Sequence, residues 1–179
     1  LFSTRYRVVV KFDADSAYKS IEEVMPDLIV SDVLMPGING YQFCRMVKEN
    51  ISYSHIPVIL LTAKATVENQ VEGLNTGANA YVTKPFEPQY LMALIKSQLL
   101  NREQTRTILS SSTQTEKIDK SVLSSQDNAF MSTLYKLMES ELSNSELNIT
   151  QLTEALKISR TKFYYKVKGL TGENPNVFL

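Results

Sequence analysis

Three short apolar runs, each closed by a polar residue, constrain this chain more than any other feature. Leu28-Ile29-Val30 leads through Ser31 to Asp32, Pro57–Leu61 leads to Thr62, and Ala80–Thr83 leads to Lys84-Pro85. Runs this short and this apolar read as strands buried on both faces, the pattern of a parallel sheet. Helix-period segments lie between them. Ala17, Ile21 and Val24 fall at i, i+4 and i+7 behind a cap at Asp15 or Ser16, and Pro26 stops that helix. Asn39 caps a second helix with Phe43, Met46 and Val47 inward. Val67, Val71 and Leu74 mark a third, ended by Gly77. Pro88, a first-turn proline, opens a fourth with Leu91, Leu94, Ile95 and Leu99 on its apolar face. Tyr6–Val10, β-branched and flanked by charge, adds a further strand. Strands alternating with helices across short loops predict a parallel, doubly wound α/β sheet over residues 1–103.

In such a sheet, function collects where the strands end at their carboxyl edge. A carboxylate (Asp32), a hydroxyl (Thr62) and an ammonium (Lys84) are therefore predicted to face one rim. Singly, each has a plain reading: a loop cap, a β-former, a turn. Their coincidence at successive strand ends is what points to chemistry, because an ionised Asp there needs a partner and a neighbouring Lys supplies one. Composition removes the rival chemistries. One cysteine, Cys44, excludes a disulfide framework and a multi-thiolate zinc site. One histidine, His55, excludes a zinc site needing two, and it reads as a solvated loop residue. Cys44 reads as a small core residue on a helix. The 19 basic and 19 acidic side chains cancel, so net charge names no partner. The longest apolar runs are far too short to span a bilayer, and no signal pattern precedes them, so a soluble chain of a reducing compartment is expected.

Asp27-Leu28-Ile29-Val30-Ser31-Asp32-Val33-Leu34-Met35-Pro36-Gly37, with Asn39-Gly40 after it, resembles the phosphoacceptor segment of bacterial response-regulator receiver domains. Val58-Ile59-Leu60-Leu61-Thr62-Ala63 resembles their switch strand, and Gly77–Phe86 resembles their lysine-proline segment. The resemblance implies a flavodoxin-like fold in which Asp32 accepts a phosphoryl group from a histidine kinase. It implies that Lys84 pairs with the phosphoryl oxygens. Thr62 and Ala63 then form the switch that draws a loop inward, with Tyr81 turning into the space Thr62 leaves. It implies a cis peptide before Pro85, and a Mg2+ ion held by Asp32 and the backbone carbonyl of Leu34. A full receiver begins with a strand ending in an acidic pair. The sequence is therefore expected to lack that strand and most of the first helix, Leu1-Phe2-Ser3 resembling the helix tail. Another copy of the chain is one candidate to fill the slot.

Ser and Thr make up ten of the 22 residues from Gln104 to Ser125, a linker composition. Residues 126–179 read as helical. Phe130, Leu134, Leu137, Met138 and Leu142 mark one helix, and Ile149, Leu152, Ala155 and Leu156 a second. Ser159 caps a third, with Ile158 and Phe163 at the spacing of a hydrophobic staple and Phe163, Val167 and Leu170 buried. Arg160, Thr161, Lys162, Tyr165, Lys166 and Lys168 are expected on its outward face. Charge alone leaves that face open between a solvated bundle surface and a nucleic-acid contact. Ile158–Gly172 resembles the first helix-turn-helix of AraC-type regulators, and Asn174–Phe178 the start of their connecting helix. That resemblance implies DNA contacts from Arg160, Thr161, Lys162, Tyr165 and Lys166.

The combined expectation is a two-component response regulator in which phosphorylation at Asp32 controls DNA binding and transcription. A homodimer is expected, without membrane contact from this segment. It stands either free in the cytoplasm or at the cytoplasmic end of a hybrid sensor kinase. The alternative is an interaction and dimerisation module that is not phosphorylated. A metabolic enzyme is not expected.

Overall fold

The computed structural model describes residues 5–63, 76–111, 123–141 and 149–178. The chain divides into two compact units, Leu1–Val47 with Pro57–Leu94, and Lys48–Ile56 with Ile95–Leu179.

The first unit is built on three parallel strands, β1 (Ile29–Asp32), β2 (Val58–Thr62) and β3 (Ala80–Thr83), in the order β1-β2-β3. Ile29 stands opposite Val58, and Ile59 opposite Ala80. Strand β2 is central, and its Val58, Ile59 and Leu60 are completely buried, as a strand covered on both faces requires. Among the described residues, α1 (Ala14–Val24) and α2 (Gly40–Glu49), the latter as far as Val47, belong to this unit. Asn39 caps α2 as expected: its Oδ1 accepts from the Gln42 amide at 2.9 Å while Gln42 Oε1 accepts from the Asn39 amide at 3.0 Å. Phe43, Cys44 and Val47 are buried on its inner face, and the Cys44 thiol donates to the Thr76 carbonyl.

Three sequence expectations are corrected here. The cap of α1 is Asp13, whose carboxylate takes both the amide and the hydroxyl of Ser16, rather than Asp15 or Ser16. Tyr6–Val10 is not a strand: a β-branched run needs a ladder partner, none of the described strands lies beside it, and Val8, Val9 and Val10 are exposed. Strand β1 is not sealed on both faces: Val30 is exposed, while Ser31 is buried. The helix expected at Val67–Leu74 lies outside the described residues.

Helix α3 runs over Pro88–Ser111. Residues 104–111 are thus helical rather than linker. Leu109 explains why: it is almost fully buried in the apolar core of the second unit, and that burial outweighs the weak helix preference of the surrounding Ser and Thr. Residues 112–122 of the expected linker, and Leu142, lie outside the described residues. The second unit continues with α4 (Ser125–Glu141), α5 (Ile149–Ala155), α6 (Arg160–Thr171) and α7 (Pro175–Phe178). Phe130, Met131, Leu134, Leu152, Phe163, Val167 and Leu170 join Leu109 in one core. Ser159 caps α6, accepting from the Lys162 amide, and Gly172 ends it at φ 78°, a left-handed conformation that costs glycine nothing. The turn between α5 and α6 passes through Lys157, also left-handed at φ 53°.

Candidate functional site

Asp32 is the last residue of β1, Thr62 the last of β2, and Lys84 follows β3. The strands are parallel and in register, so all three residues fall at one edge of the sheet. The chain after β3 is held there by the Lys84 amide, which donates to the Thr62 carbonyl at 2.7 Å. The Lys84 ammonium forms an ion pair with Asp32 Oδ2. The other carboxylate oxygen, Oδ1, accepts from the Leu34 amide at 3.1 Å. Partial burial pushes the Asp32 carboxyl up, but the Lys84 hydrogen bond and the backbone amides outweigh it and hold it below the usual carboxylate range. The carboxylate is therefore ionised at neutral pH and available as a nucleophile. Its side chain is 36% exposed and that of Lys84 39%, so both groups are open to solvent.

The Lys84-Pro85 peptide is cis, as the resemblance implied. Thr62 is buried, whereas Ala63 beside it is exposed. Tyr81 is half-buried, its hydroxyl hydrogen-bonded with that of Thr76 at 3.2 Å. Sequence reasoning did not single out Gly40 as a site residue. A Cβ on Gly40 would stand 2.2 Å from the Asp32 carbonyl oxygen and 2.8 Å from Val33 Cα. Its amide donates to the Val33 carbonyl at 3.0 Å. Only a residue without a side chain lets the start of α2 press against the backbone that aims Asp32. The Asn39-Gly40 pair, a glycine directly after a cap, was the available signal.

The described residues do not by themselves make a magnesium site. Mg2+ binds through one or two carboxylates with waters and substrate oxygens. Asp32 could supply one carboxylate, since each of its oxygens accepts a single donor, Lys84 or the Leu34 amide, and keeps a lone pair; no cluster of three His, Cys, Asp or Glu stands among the described residues to complete the site.

In the second unit, Arg160, Thr161, Lys162 and Lys168 on α6 are exposed, and Tyr165 is half-buried. The Arg160 guanidinium donates to the Thr150 hydroxyl, tying the start of α6 to α5. Lys166 corrects the sequence reading. It is not on the outward face but completely buried, between Phe163 and Leu170 on the inner stripe. Its ammonium pairs with Asp127 of α4, also donates to the Ser54 hydroxyl, and stands 5.7 Å from the centre of the Phe130 ring. A lysine can occupy a core position because Asp127 compensates its charge there. It is thereby removed from any surface contact. His55 is likewise no solvated loop residue: both ring nitrogens are buried, without a hydrogen-bond partner among the described residues.

No helix among the described residues is long and apolar enough to cross a membrane. Residues 1–96 match the model of the response regulator receiver domain family. The chain is 32% identical to histidine kinase P4 of Formosa agariphila over 174 residues, which covers 97% of this chain and 13% of that protein. It is 46% identical over 85 residues to the phosphate regulon transcriptional regulatory protein PhoB of Klebsiella pneumoniae, covering 48% of this chain and 37% of that one. The chain thus spans well under half the length of these relatives. Among solved structures, the receiver domain of a signal transduction histidine kinase from Syntrophus aciditrophicus is similar at 34% identity and a TM-score of 0.54, covering 62% of this chain and 81% of that one. With its ionised aspartate, lysine and threonine at one edge of a parallel sheet, the chain belongs to the response regulator receiver domain family.

Proposed function

We propose that Asp32 accepts a phosphoryl group from a histidine kinase and that this modification controls the second unit, a DNA-binding helix-turn-helix. The observation that carries the reading is the ion pair of Asp32 with Lys84 at the strand edge shared with Thr62. An Asp32 carboxylate oxygen attacks phosphorus, the P–N bond to the kinase histidine breaks, and an acyl phosphate forms. The Lys84 ammonium transfers its contact from the carboxylate to the new phosphoryl oxygens, and the Thr62 hydroxyl donates to one of them. The added charge and acceptor oxygens give the Ala63 loop and Tyr81 something new to order around. Mg2+ belongs to this reading only if groups beyond the described residues complete its site.

The exposed first turn of α6, with Arg160, Thr161 and Lys162, supports DNA contact, with Lys168 toward phosphate. Dimerisation and a cytoplasmic location are part of the proposal. The match to histidine kinase P4 extends over both units while covering a small part of that protein, which supports a fused kinase on the same polypeptide. The competing reading is an interaction module that never carries phosphate. Acetyl phosphate with magnesium, followed by intact-protein mass spectrometry, separates the two. One added phosphoryl group, absent in Asp32→Asn, is expected; an unmodified wild-type chain overturns the proposal.

A further inference from the structure

Residues 48–56, the last two residues of α2 and the turn that leads toward β2, fold with the second unit. The segment is a compact turn. The Tyr53 and Ser54 amides donate to the Asn50 carbonyl, the Ile56 amide to that of Tyr53, and Lys48 Nζ to the carbonyls of Ser54 and Ile56. It meets α6 at two points. Ser54 Oγ accepts from Lys166 Nζ and donates to Asp127 Oδ1 at 2.7 Å. The His55 ring lies on Gly169 so closely that a Cβ there would stand 2.0 Å from Nε2. Glycine inside a helix costs stability relative to alanine, so its presence here is explained by the ring it accommodates.

The ring has no provision for a charge. Among the described residues, neither nitrogen has a hydrogen-bond partner. The charged groups acting on it are Arg102 and Arg106 of α3, Lys166 of α6 and Lys48 of the segment itself, all cations; the carboxylate of Asp127 is engaged by Lys166. We propose that residues 48–56 form a clip seated on the C-terminal half of α6, and that protonation of His55 releases it. Burial first, then the four cations, hold the imidazole well below its usual 6.5. A closed state that refuses the proton while the open state accepts it loses stability as pH falls below about 6.5. The closing equilibrium then weakens up to tenfold per pH unit, until the depressed value of the closed state is reached. A helix assigned to DNA thus has a second input, independent of the phosphoryl site; the test below does not require that α6 read DNA.

Hydrogen exchange of the intact chain, followed by mass spectrometry and corrected for intrinsic rates, tests this at pH 7.5 and 5.5. Peptides spanning 48–56 and the C-terminal half of α6 should lose protection at pH 5.5 while those of β2 do not. His55→Leu should abolish the pH dependence. Gly169→Ala should open the clip already at pH 7.5, and His55→Ala in the same chain should restore α6 protection by removing the colliding ring. Protection that does not change with pH in the wild type, acid opening that persists in His55→Leu, or a Gly169→Ala chain that behaves like wild type would each overturn the proposal.

Discussion

Asp127→Ala is the sharpest test of the packing in the second unit. Lys166 has no side-chain exposure and Asp127 only 4%, so water cannot replace either partner. Removing Asp127 leaves an ammonium beside the Phe130 ring, with the Ser54 hydroxyl as its remaining hydrogen-bond partner among the described residues. Burial already pulls the Lys166 pKa down, and Asp127 is what opposes that pull. Breaking a buried pair from one side costs about 3–5 kcal/mol, a large part of the ~5–15 kcal/mol that holds a domain together. With an m-value of about 1–3 kcal/mol/M, the urea midpoint should fall by about 1–5 M. Lys166→Met keeps the apolar stem but strands the carboxylate, so it should cost a similar amount. The double variant removes both charges, and its loss should be far smaller than the sum of the two single losses. Urea unfolding of the intact chain, read by far-UV circular dichroism, measures all three. Single losses under about 1 kcal/mol, or a double loss equal to the sum, would refute the assignment of Lys166 and Asp127 as one buried pair.

Two further outcomes concern the first unit. Lys84→Met removes the largest influence that lowers the Asp32 pKa, leaving the Leu34 and Val33 amides alone against the raising effect of partial burial, so carboxyl titration followed by carbon NMR should move upward. In the wild type, the stability contributed by this pair is present above the ordinary value of 3.8 and lost as pH falls through the lowered folded value. Because both side chains are more than a third exposed, solvent screening keeps that contribution small, and an acid-unfolding curve unchanged in Lys84→Met would be consistent with it. Gly40→Ala puts a methyl against the Asp32 backbone and should cost about 1–3 kcal/mol in thermal unfolding. It should also slow labelling by acetyl phosphate, and wild-type labelling in this variant would show that the Asp32 backbone tolerates displacement.

The candidate site was legible because its signals are local. A strand end is marked by where an apolar run stops, and a parallel order brings successive strand ends to one edge, so Asp32, Thr62 and Lys84 could be grouped without coordinates. The caps at Asn39 and Ser159 are likewise decided within four residues. Lys166 was misread for an instructive reason. Its spacing from Phe163 and Leu170 already put it on the inner stripe of α6, but its charge argued for the surface. The compensating groups lie 39 and 112 residues away, at Asp127 and Ser54, where no periodicity reaches.

The sequence by itself determined the α/β alternation, the edge that carries the reactive groups and the basic helix that follows. These depend on side-chain period and short-range hydrogen bonding, which neighbouring residues settle among themselves. Only the tertiary structure decided that residues 48–56 fold with the second unit, that Leu109 carries α3 through an expected linker, and that a lysine and a histidine are interior. Those outcomes turn on whether a distant segment supplies an opposite charge or a glycine-sized gap, and desolvation makes the answer all-or-none.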